Sequence, residues 1–258
     1  MKLALYQGPA CGGATEEAFA VIRRSLAAAA AAGAHMLVMP ELFLPGYNRP
    51  DLHGALAQTR EGPWMRRLAE MAREAGCGLT LGWAEREGAA VYNAASCLDR
   101  EGRLCGHYRK IQLFGPMEGA SFVPGDAHAV FELEGIRTGL LICYDVEFAP
   151  HVRALAAQGV RLLLVPTANP EGFEHVSDLL VPARAAEADM TIAYANFCGT
   201  EGGLRFGGRS VIAGPDGRPL AAAGRGEVLL VADLAPAAEV AEALRSRQLQ
   251  DFREPKER

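Results

Sequence analysis

Short apolar runs recur through this chain with helical stretches between several of them, and that alternation limits the fold more than any other feature. The runs are Leu3–Tyr6, Met36–Met39, Gly78–Trp83, Val91–Leu98, Gly139–Cys143, Arg161–Val165 and Thr191–Ala195, each about four to eight residues and so of buried-strand length. Thr15–Ala32 is alanine-rich, with Thr15 expected as an N-cap and Gly33 as a stop signal. Gly62-Pro63 opens a second helix through Ala75, because proline is tolerated in a first turn where its missing N–H has no helical partner to lose. Val152–Gln158 and Val176–Ala188 supply two more, each followed by a strand, and Pro236–Arg247 a last one.

The pattern is α/β without being uniformly βαβ. From Gly78 to about Leu133 strands follow one another through short turns such as Asp99-Arg-Glu-Gly102, and Gly207–Val231 does the same around Gly214-Pro-Asp-Gly217. Hairpins mixed with helical crossovers imply mixed sheets with helices on their outer faces. No repeat or linker interrupts the chain, so residues 1–258 read as one domain, with a core over about 1–234 and residues 235–258 as a C-terminal helix and tail. The charged end, Glu254–Arg258, is expected to fray.

Charge and cysteine usage narrow the partners. Lys plus Arg total 26 against 31 Asp plus Glu, a formal charge of -5. A chain with no basic block offers little to a phosphate backbone, so nucleic acid is not expected. Lys2–Tyr6 reads as a strand rather than a signal peptide, and no apolar stretch is long enough to span a membrane. A soluble, cytoplasmic protein is expected. The six cysteines, Cys11, Cys77, Cys97, Cys105, Cys143 and Cys198, form no C-x-x-C pair and have no His at ligand spacing. They fit reduced thiols better than a disulfide scaffold or a metal site, and most should be small buried hydrophobes.

Three segments could carry chemistry. In Met36-Leu-Val-Met-Pro-Glu41 a carboxylate follows the end of a strand, and in Gly139-Leu-Leu-Ile-Cys143-Tyr-Asp145 a strand stops at a cysteine and turns toward a helix with Pro150 in its first turn. Strand ends of this kind are where α/β folds place reactive groups. The third, Tyr108-Arg-Lys110, leads from the hairpin region into a loop. Singly each has a bland explanation: a solvated loop carboxylate, a surface lysine, a core cysteine. Together they make the set a cysteine hydrolase needs. A thiol attacks as thiolate, a carboxylate can take its proton, and an ammonium with backbone N–H groups can hold the oxyanion.

Pro40-Glu41-Leu-Phe-Leu-Pro-Gly-Tyr47, Tyr108-Arg-Lys110 and Leu141-Ile-Cys143-Tyr-Asp145 resemble, in order and separation, the three signature blocks of the nitrilase (carbon–nitrogen hydrolase) superfamily. Phe122-Val-Pro-Gly125, Val165-Pro-Thr-Ala-Asn169, Pro182-Ala-Arg184, Ala195-Asn196-Phe-Cys-Gly199 and Gly214-Pro-Asp-Gly217 also look like family landmarks. The resemblance implies a four-layer αββα sandwich with two mixed β-sheets and a Glu41–Lys110–Cys143 triad. Cys143 would be nucleophile, Glu41 general base, and Lys110 with the Tyr144 backbone N–H the oxyanion stabilisers. Glu118, four residues before Phe122, would orient Lys110 and assist proton traffic. Tyr47 and Asn169 resemble positions near the pocket, although a packing anchor and a turn-forming Asn explain them equally. No cofactor or metal is implied. Family members commonly pair through helices on one outer face, sometimes in larger assemblies, so a homodimer or higher homo-oligomer using Val152–Gln158, Val176–Ala188 and the C-terminal segment is expected.

Cys-Tyr-Asp after the nucleophile is similar to amidase and carbamoylase branches, whereas nitrilases typically carry Cys-Trp-Glu. The longer string looks like bacterial 5-aminopentanamidase-type enzymes and related stereoselective amidases, except that Ala149-Pro150-His151 places the proline one residue later. The expected substrate is a small aliphatic amide. An ω-amino amide would need an anionic partner, for which Asp145, Glu147, Glu171 and Glu174 are candidates and Glu147 the first choice; Glu147 equally suits a helix N-terminus. The loops Asn169–His175 and Gly199–Phe206 are expected to shape specificity, and Arg205 in the latter could instead select a carboxylate. N-carbamoyl amino acids or nitriles are the alternative substrates, and a silent binding protein is the alternative of another class. A papain-like arrangement would need a His context that neither His151 nor His175 provides. No G-x-S-x-G, G-x-G-x-x-G or P-loop occurs.

Overall fold

The computed structural model describes residues 1–254; the remainder of the charged end expected to fray lies outside the described residues. Strand β1 (Lys2–Gln7) runs parallel to β2 (Met36–Val38), which runs parallel to β3 (Gly78–Glu87). Antiparallel β4 (Ala90–Leu98) and β5 (Leu104–Arg109) extend this sheet. The second sheet begins with the hairpin β6 (Ala129–Leu133) and β7 (Ile136–Leu140), followed by parallel β8 (Leu162–Pro166) and β9 (Thr191–Ala195). A separate hairpin, β10 (Cys198–Glu201) and β11 (Leu204–Gly207), replaces what sequence alone treats as a loop. The second sheet ends with β12 (Val211–Ala213) and β13 (Pro219–Ala222), whereas β14 (Val228–Asp233) crosses back to pair with β1.

Alternation along the strands sets the layers. In β1, Leu3 and Leu5 face the second sheet while Ala4 and Tyr6 face helices. Helices α1 (Thr15–Ala31), α2 (Pro50–Leu56) and α3 (Pro63–Ala75) come first in the chain, and α1 and α3 pack Phe19, Ile22, Leu26, Leu68 and Met71 on the outer face of the first sheet. After α4 (Gly115–Ser121), α5 (Ala149–Ala157) and α6 (Val181–Ala188) cover the second sheet with Val152, Leu155, Val181 and Ala185. The order helix, sheet, sheet, helix is the expected αββα sandwich. Its central strands β2 and β8 are buried throughout, as parallel strands covered on both faces must be.

Several local expectations change. Thr15 is the first helical residue and Ala14 takes the cap position without a side-chain bond, while Gly33 (φ +74°) ends the turn as expected. The helix expected from Val152 begins at Ala149, with Pro150 in its first turn. Val176–Leu180 is a π-turn leading into α6, at the place where Pro182 has no N–H to give the preceding turn. The helix expected over Pro236–Arg247 is broken into α7 (Ala235–Ala238) and a 3-10 turn at Glu242–Leu244. There the Arg245 guanidinium donates to the carbonyls of Ala237, Ala238 and Val240, folding the segment back on itself. A last short helix, α8, spans Gln248–Asp251. Among the described residues no helix is long and apolar enough to cross a membrane.

Candidate active site

Strand ends from both sheets converge. Past β2, the Met39 N–H donates to Thr80 O (2.7 Å), and Gly82 N–H donates to Pro40 O (3.1 Å), which fixes the segment against β3. Glycine is required at 82 because a Cβ there would stand 2.5 Å from Glu41 Cα. Past β5, the Lys110 N–H donates to Asn93 O on β4 (2.8 Å). Past β7, Leu141 and Ile142 lead into a 3-10 turn over Cys143–Glu147. Leu42 and Cys143 both have φ +45°. This left-handed region crowds the Cβ of any residue but glycine and costs roughly 1–3 kcal/mol where it is imposed.

A buried ion cluster joins these ends. Lys110 Nζ lies 2.6 Å from Glu41 Oε1 and 2.8 Å from Glu118 Oε1, with all three side chains sealed from solvent. Asn93 Nδ2 donates to the same Glu41 oxygen (2.7 Å). On the far side the Tyr47 hydroxyl donates to Glu118 Oε1 (2.8 Å), and the Phe114 N–H donates to Glu118 Oε2 (3.0 Å). Glu41 Oε2 is buried and has no partner among the described residues.

Electrostatics follow from that geometry. Burial raises the Glu41 carboxyl above the ordinary carboxylate range, Lys110 opposes the shift and Glu118 adds to it. Burial also works against the Lys110 charge, but Glu41 and Glu118 outweigh it and hold the ammonium protonated. The Cys143 thiol is pushed well up, first by burial and then by the Glu41 charge, with Lys110 pulling the other way. The resting site therefore holds a neutral thiol beside a carboxylate of raised basicity and a fixed cation. Such a set can move a proton from sulfur to carboxylate and stabilise a developing oxyanion.

The other sequence candidates separate. Asp145 is a brace: Oδ2 accepts from the Ile142 N–H (3.1 Å) and the Tyr108 hydroxyl (3.0 Å), and Oδ1 from the Gln112 N–H (2.8 Å). These bonds tie the cysteine turn to the end of β5, although burial still pushes the Asp145 carboxyl up to about 6. Glu171 and Glu174 pair with Arg225 (2.8 and 2.7 Å), and Arg205, largely exposed, lies 3.6 Å from Glu171. Glu147 is half-buried, and among the described residues no side chain bonds its carboxylate; its carbonyl accepts from Arg184 (3.0 Å). Asn169 Nδ2 donates to Phe173 O (3.0 Å), so its side chain shapes the loop it opens. Tyr144 packs edge-on against Phe114 and Phe148, with ring centroids 5.2 and 4.8 Å away, and Phe173 packs on Phe114 at 5.9 Å.

Sequence reasoning misses Asn93, absorbed in the apolar run Val91–Leu98. The signal available is one amide in a strand otherwise built for burial, since a buried polar side chain needs a partner to justify it.

The carbon–nitrogen hydrolase family profile matches residues 2–242. A Pseudomonas protegens protein described as "Hydrolase in pqqF 5'region" is 42% identical over 238 residues, covering 91% of this chain and 82% of its own length. An (R)-stereoselective amidase from a Pseudomonas species is 34% identical over 236 residues, covering 91% and 85%. Among solved structures, NitN amidase from Nesterenkonia sp. AN1 superposes with a TM-score of 0.88 at 40% identity, covering 98% of this chain and 96% of that one. Structures of that amidase include a cysteine-to-alanine mutant in complex with butyramide, and a mutant with the acetamide moiety of fluoroacetamide added covalently at the active site cysteine. On the profile match and these identities, the chain belongs to the carbon–nitrogen hydrolase family.

Proposed function

We propose that this protein hydrolyses a small aliphatic amide to its carboxylate and ammonia through a thioester on Cys143. The observation that carries the reading is the sealed Glu41–Lys110–Glu118 cluster whose unpartnered oxygen, Glu41 Oε2, belongs to the carboxylate weighing most on the Cys143 thiol. Glu41 takes the thiol proton, and Cys143 Sγ attacks the amide carbon. Lys110 Nζ and the Tyr144 N–H stabilise the tetrahedral oxyanion. Glu41 returns the proton to the departing nitrogen, the C–N bond breaks and ammonia leaves. Water then gives a proton to Glu41 and adds to the thioester. The C–S bond breaks, the Glu41 proton restores the thiol, and the new acid yields its hydroxyl proton to ammonia or water and departs as carboxylate. A carboxylate of raised basicity suits this exchange, because proton transfer is most effective when the catalytic pKa lies near the working pH. Glu118, held by Tyr47 and Phe114, keeps Lys110 in place throughout.

The acyl group is narrowed by what surrounds Cys143. Phe114, Tyr144, Phe148 and Phe173 form an aromatic cluster contiguous with the nucleophile turn, which favours a compact apolar acyl chain. Glu147 is the one sequence-proposed partner for an ω-ammonium whose carboxylate is not already paired with protein groups. The relatives named as amidases support amide over nitrile.

The test is an ammonia-release screen over simple aliphatic amides, ω-amino amides, N-carbamoyl amino acids and nitriles. Turnover of short amides that disappears in Cys143→Ala is the expected result. Turnover confined to a carbamoyl substrate would move the assignment to that class. Binding of an amide with no hydrolysis by the parent would support a silent binder.

A further inference from the structure

We infer that Asn93 is the positioning residue that decides which oxygen of Glu41 handles the transferred proton, an inference that rests on Glu41 being the general base. Asn93 sits in the middle of β4, in register with Ala84 of β3 and 1% exposed. It holds two members of the site at once. Its carbonyl accepts from the Lys110 N–H (2.8 Å), and its Nδ2 donates to Glu41 Oε1 (2.7 Å).

Among the described residues Glu41 Oε1 thus receives two donors, Asn93 Nδ2 and Lys110 Nζ at 2.6 Å, while Oε2 receives none. A proton arriving on Oε1 would have to displace one of those donors inside a solvent-sealed cluster, where an unmade bond to a charged group is at its most costly. Oε2 is therefore the oxygen that receives it. Lys110 divides its donors between Glu41 Oε1 and Glu118 Oε1, whereas Asn93 Nδ2 is directed at Glu41 Oε1. The amide is neutral, so it adds no titrating proton to the cluster, and its N–H gives Oε1 a donor that is independent of Lys110.

The other Asn93 atom argues against a purely architectural role. Asn93 Oδ1 is buried and has no hydrogen-bond partner among the described residues. A buried carbonyl left without a donor is destabilising, and an apolar residue would fill the strand without it. The remaining groups that act on Glu41 are Lys110 past β5, Glu118 on α4, Cys143 in its turn, and the phenols of Tyr47 and Tyr194. Of these, Lys110 alone among the described residues donates to Oε1, so Asn93 supplies the second donor there.

The test compares full-length Asn93→Ala and Asn93→Asp with the parent and with Glu41→Gln. Two profiles are measured against pH: kcat and KM for ammonia release from butyramide, and the rate of Cys143 alkylation by iodoacetamide, which needs no turnover. Asn93→Ala is expected to lower kcat about tenfold to a hundredfold with KM within about threefold. Loss of the donor favours the protonated carboxyl, so the acid limb and the alkylation midpoint should both rise by about one pH unit. Asn93→Asp keeps the shape but sets a third carboxyl against Glu41, and should lower kcat further. It also keeps the test open if the alanine variant fails to fold. Unchanged midpoints and kcat within about twofold in the folded variants, with only a lower Tm, would overturn the inference. An alkylation profile that Glu41→Gln leaves unchanged would overturn the general-base reading and this inference with it. A profile that responds to Glu41→Gln but not to Asn93 substitution would overturn this inference alone.

Discussion

Lys110 Nζ stands 2.6 Å from Glu41 Oε1 with neither side chain reached by solvent, and the same ammonium lies 2.8 Å from Glu118 Oε1. One cation therefore serves two buried carboxylates, and the three groups form a unit whose members cannot be removed independently. Lys110→Met should abolish amide turnover and also destabilise the fold by about 3–5 kcal/mol, the range found when one partner of a buried pair is removed. Urea unfolding at neutral pH checks the second effect. A variant that loses activity with unchanged stability would show that the cluster contributes nothing to the fold.

The pH profile gives a second prediction with a definite sign. Burial is the largest cause of the raised Glu41 carboxyl, and the Glu118 charge adds to it. The base acts unprotonated, so activity falls as pH drops through that raised value. Glu118→Gln removes the neighbouring negative charge and leaves Lys110 paired to Glu41 alone. The acid limb of kcat/KM should then move to lower pH, by roughly one unit, while kcat itself falls because Lys110 loses an anchor. An upward movement would mean that the limb reports a group other than Glu41.

Asp145 separates a brace from a binding residue. Its carboxylate accepts from Ile142, Gln112 and Tyr108, so Asp145→Ala strands three donors and frees the turn that carries Cys143. A loss of about 2–5 kcal/mol in stability is expected, from about 1–3 kcal/mol for each buried donor that water does not reach. The accompanying loss of kcat/KM should be equal for neutral and ω-amino amides. A selective loss on ω-amino amides would instead return Asp145 to the role of ammonium partner, and the same comparison on Glu147→Gln tests the residue that remains for it.

The residues that announce themselves in sequence are those at strand ends. Glu41 and Cys143 each follow an apolar run of β2 or β7, where a polar residue has no structural reason to sit against a core. The structure pairs Glu41 with Lys110 and sets Cys143 close enough for the charges of both to act on its thiol. Glu118 needed family resemblance, because α4 spans only Gly115–Ser121 and is too short to show a helical period. Asn93 was hidden by its strand: an amide among apolar neighbours reads as tolerance until the fold places Glu41 opposite it. The β10–β11 hairpin and the return of β14 to the first sheet depend on pairings with Gly8, Asn48 and β1, which no local pattern encodes. The broken C-terminal helix has the same origin, since Ala- and Glu-rich local propensity yields to the carbonyl contacts of Arg245.

Glu85 carries the last prediction, on acid stability. It lies on β3 with its side chain 2% exposed, between Arg109 (2.7 Å) and His107 (2.9 Å) of β5. Burial alone would raise its carboxyl, but the hydrogen bonds from Arg109 and His107 prevail and hold it down to about 2. A carboxyl depressed by folding contributes stability above its unfolded value, about 4.3, and that contribution disappears as pH falls toward 2. Linkage puts it on the order of 3 kcal/mol at neutral pH. Glu41 and Asp145, both raised, shift stability with pH in the opposite direction, so the parent curve alone mixes the effects. The difference between parent and Glu85→Gln isolates it. Urea midpoints measured from pH 7 to pH 3 should show the variant weaker at pH 7 and the gap narrowing steadily below pH 5. A gap that stays constant across that range would mean that Glu85 acts through packing and not through its charge.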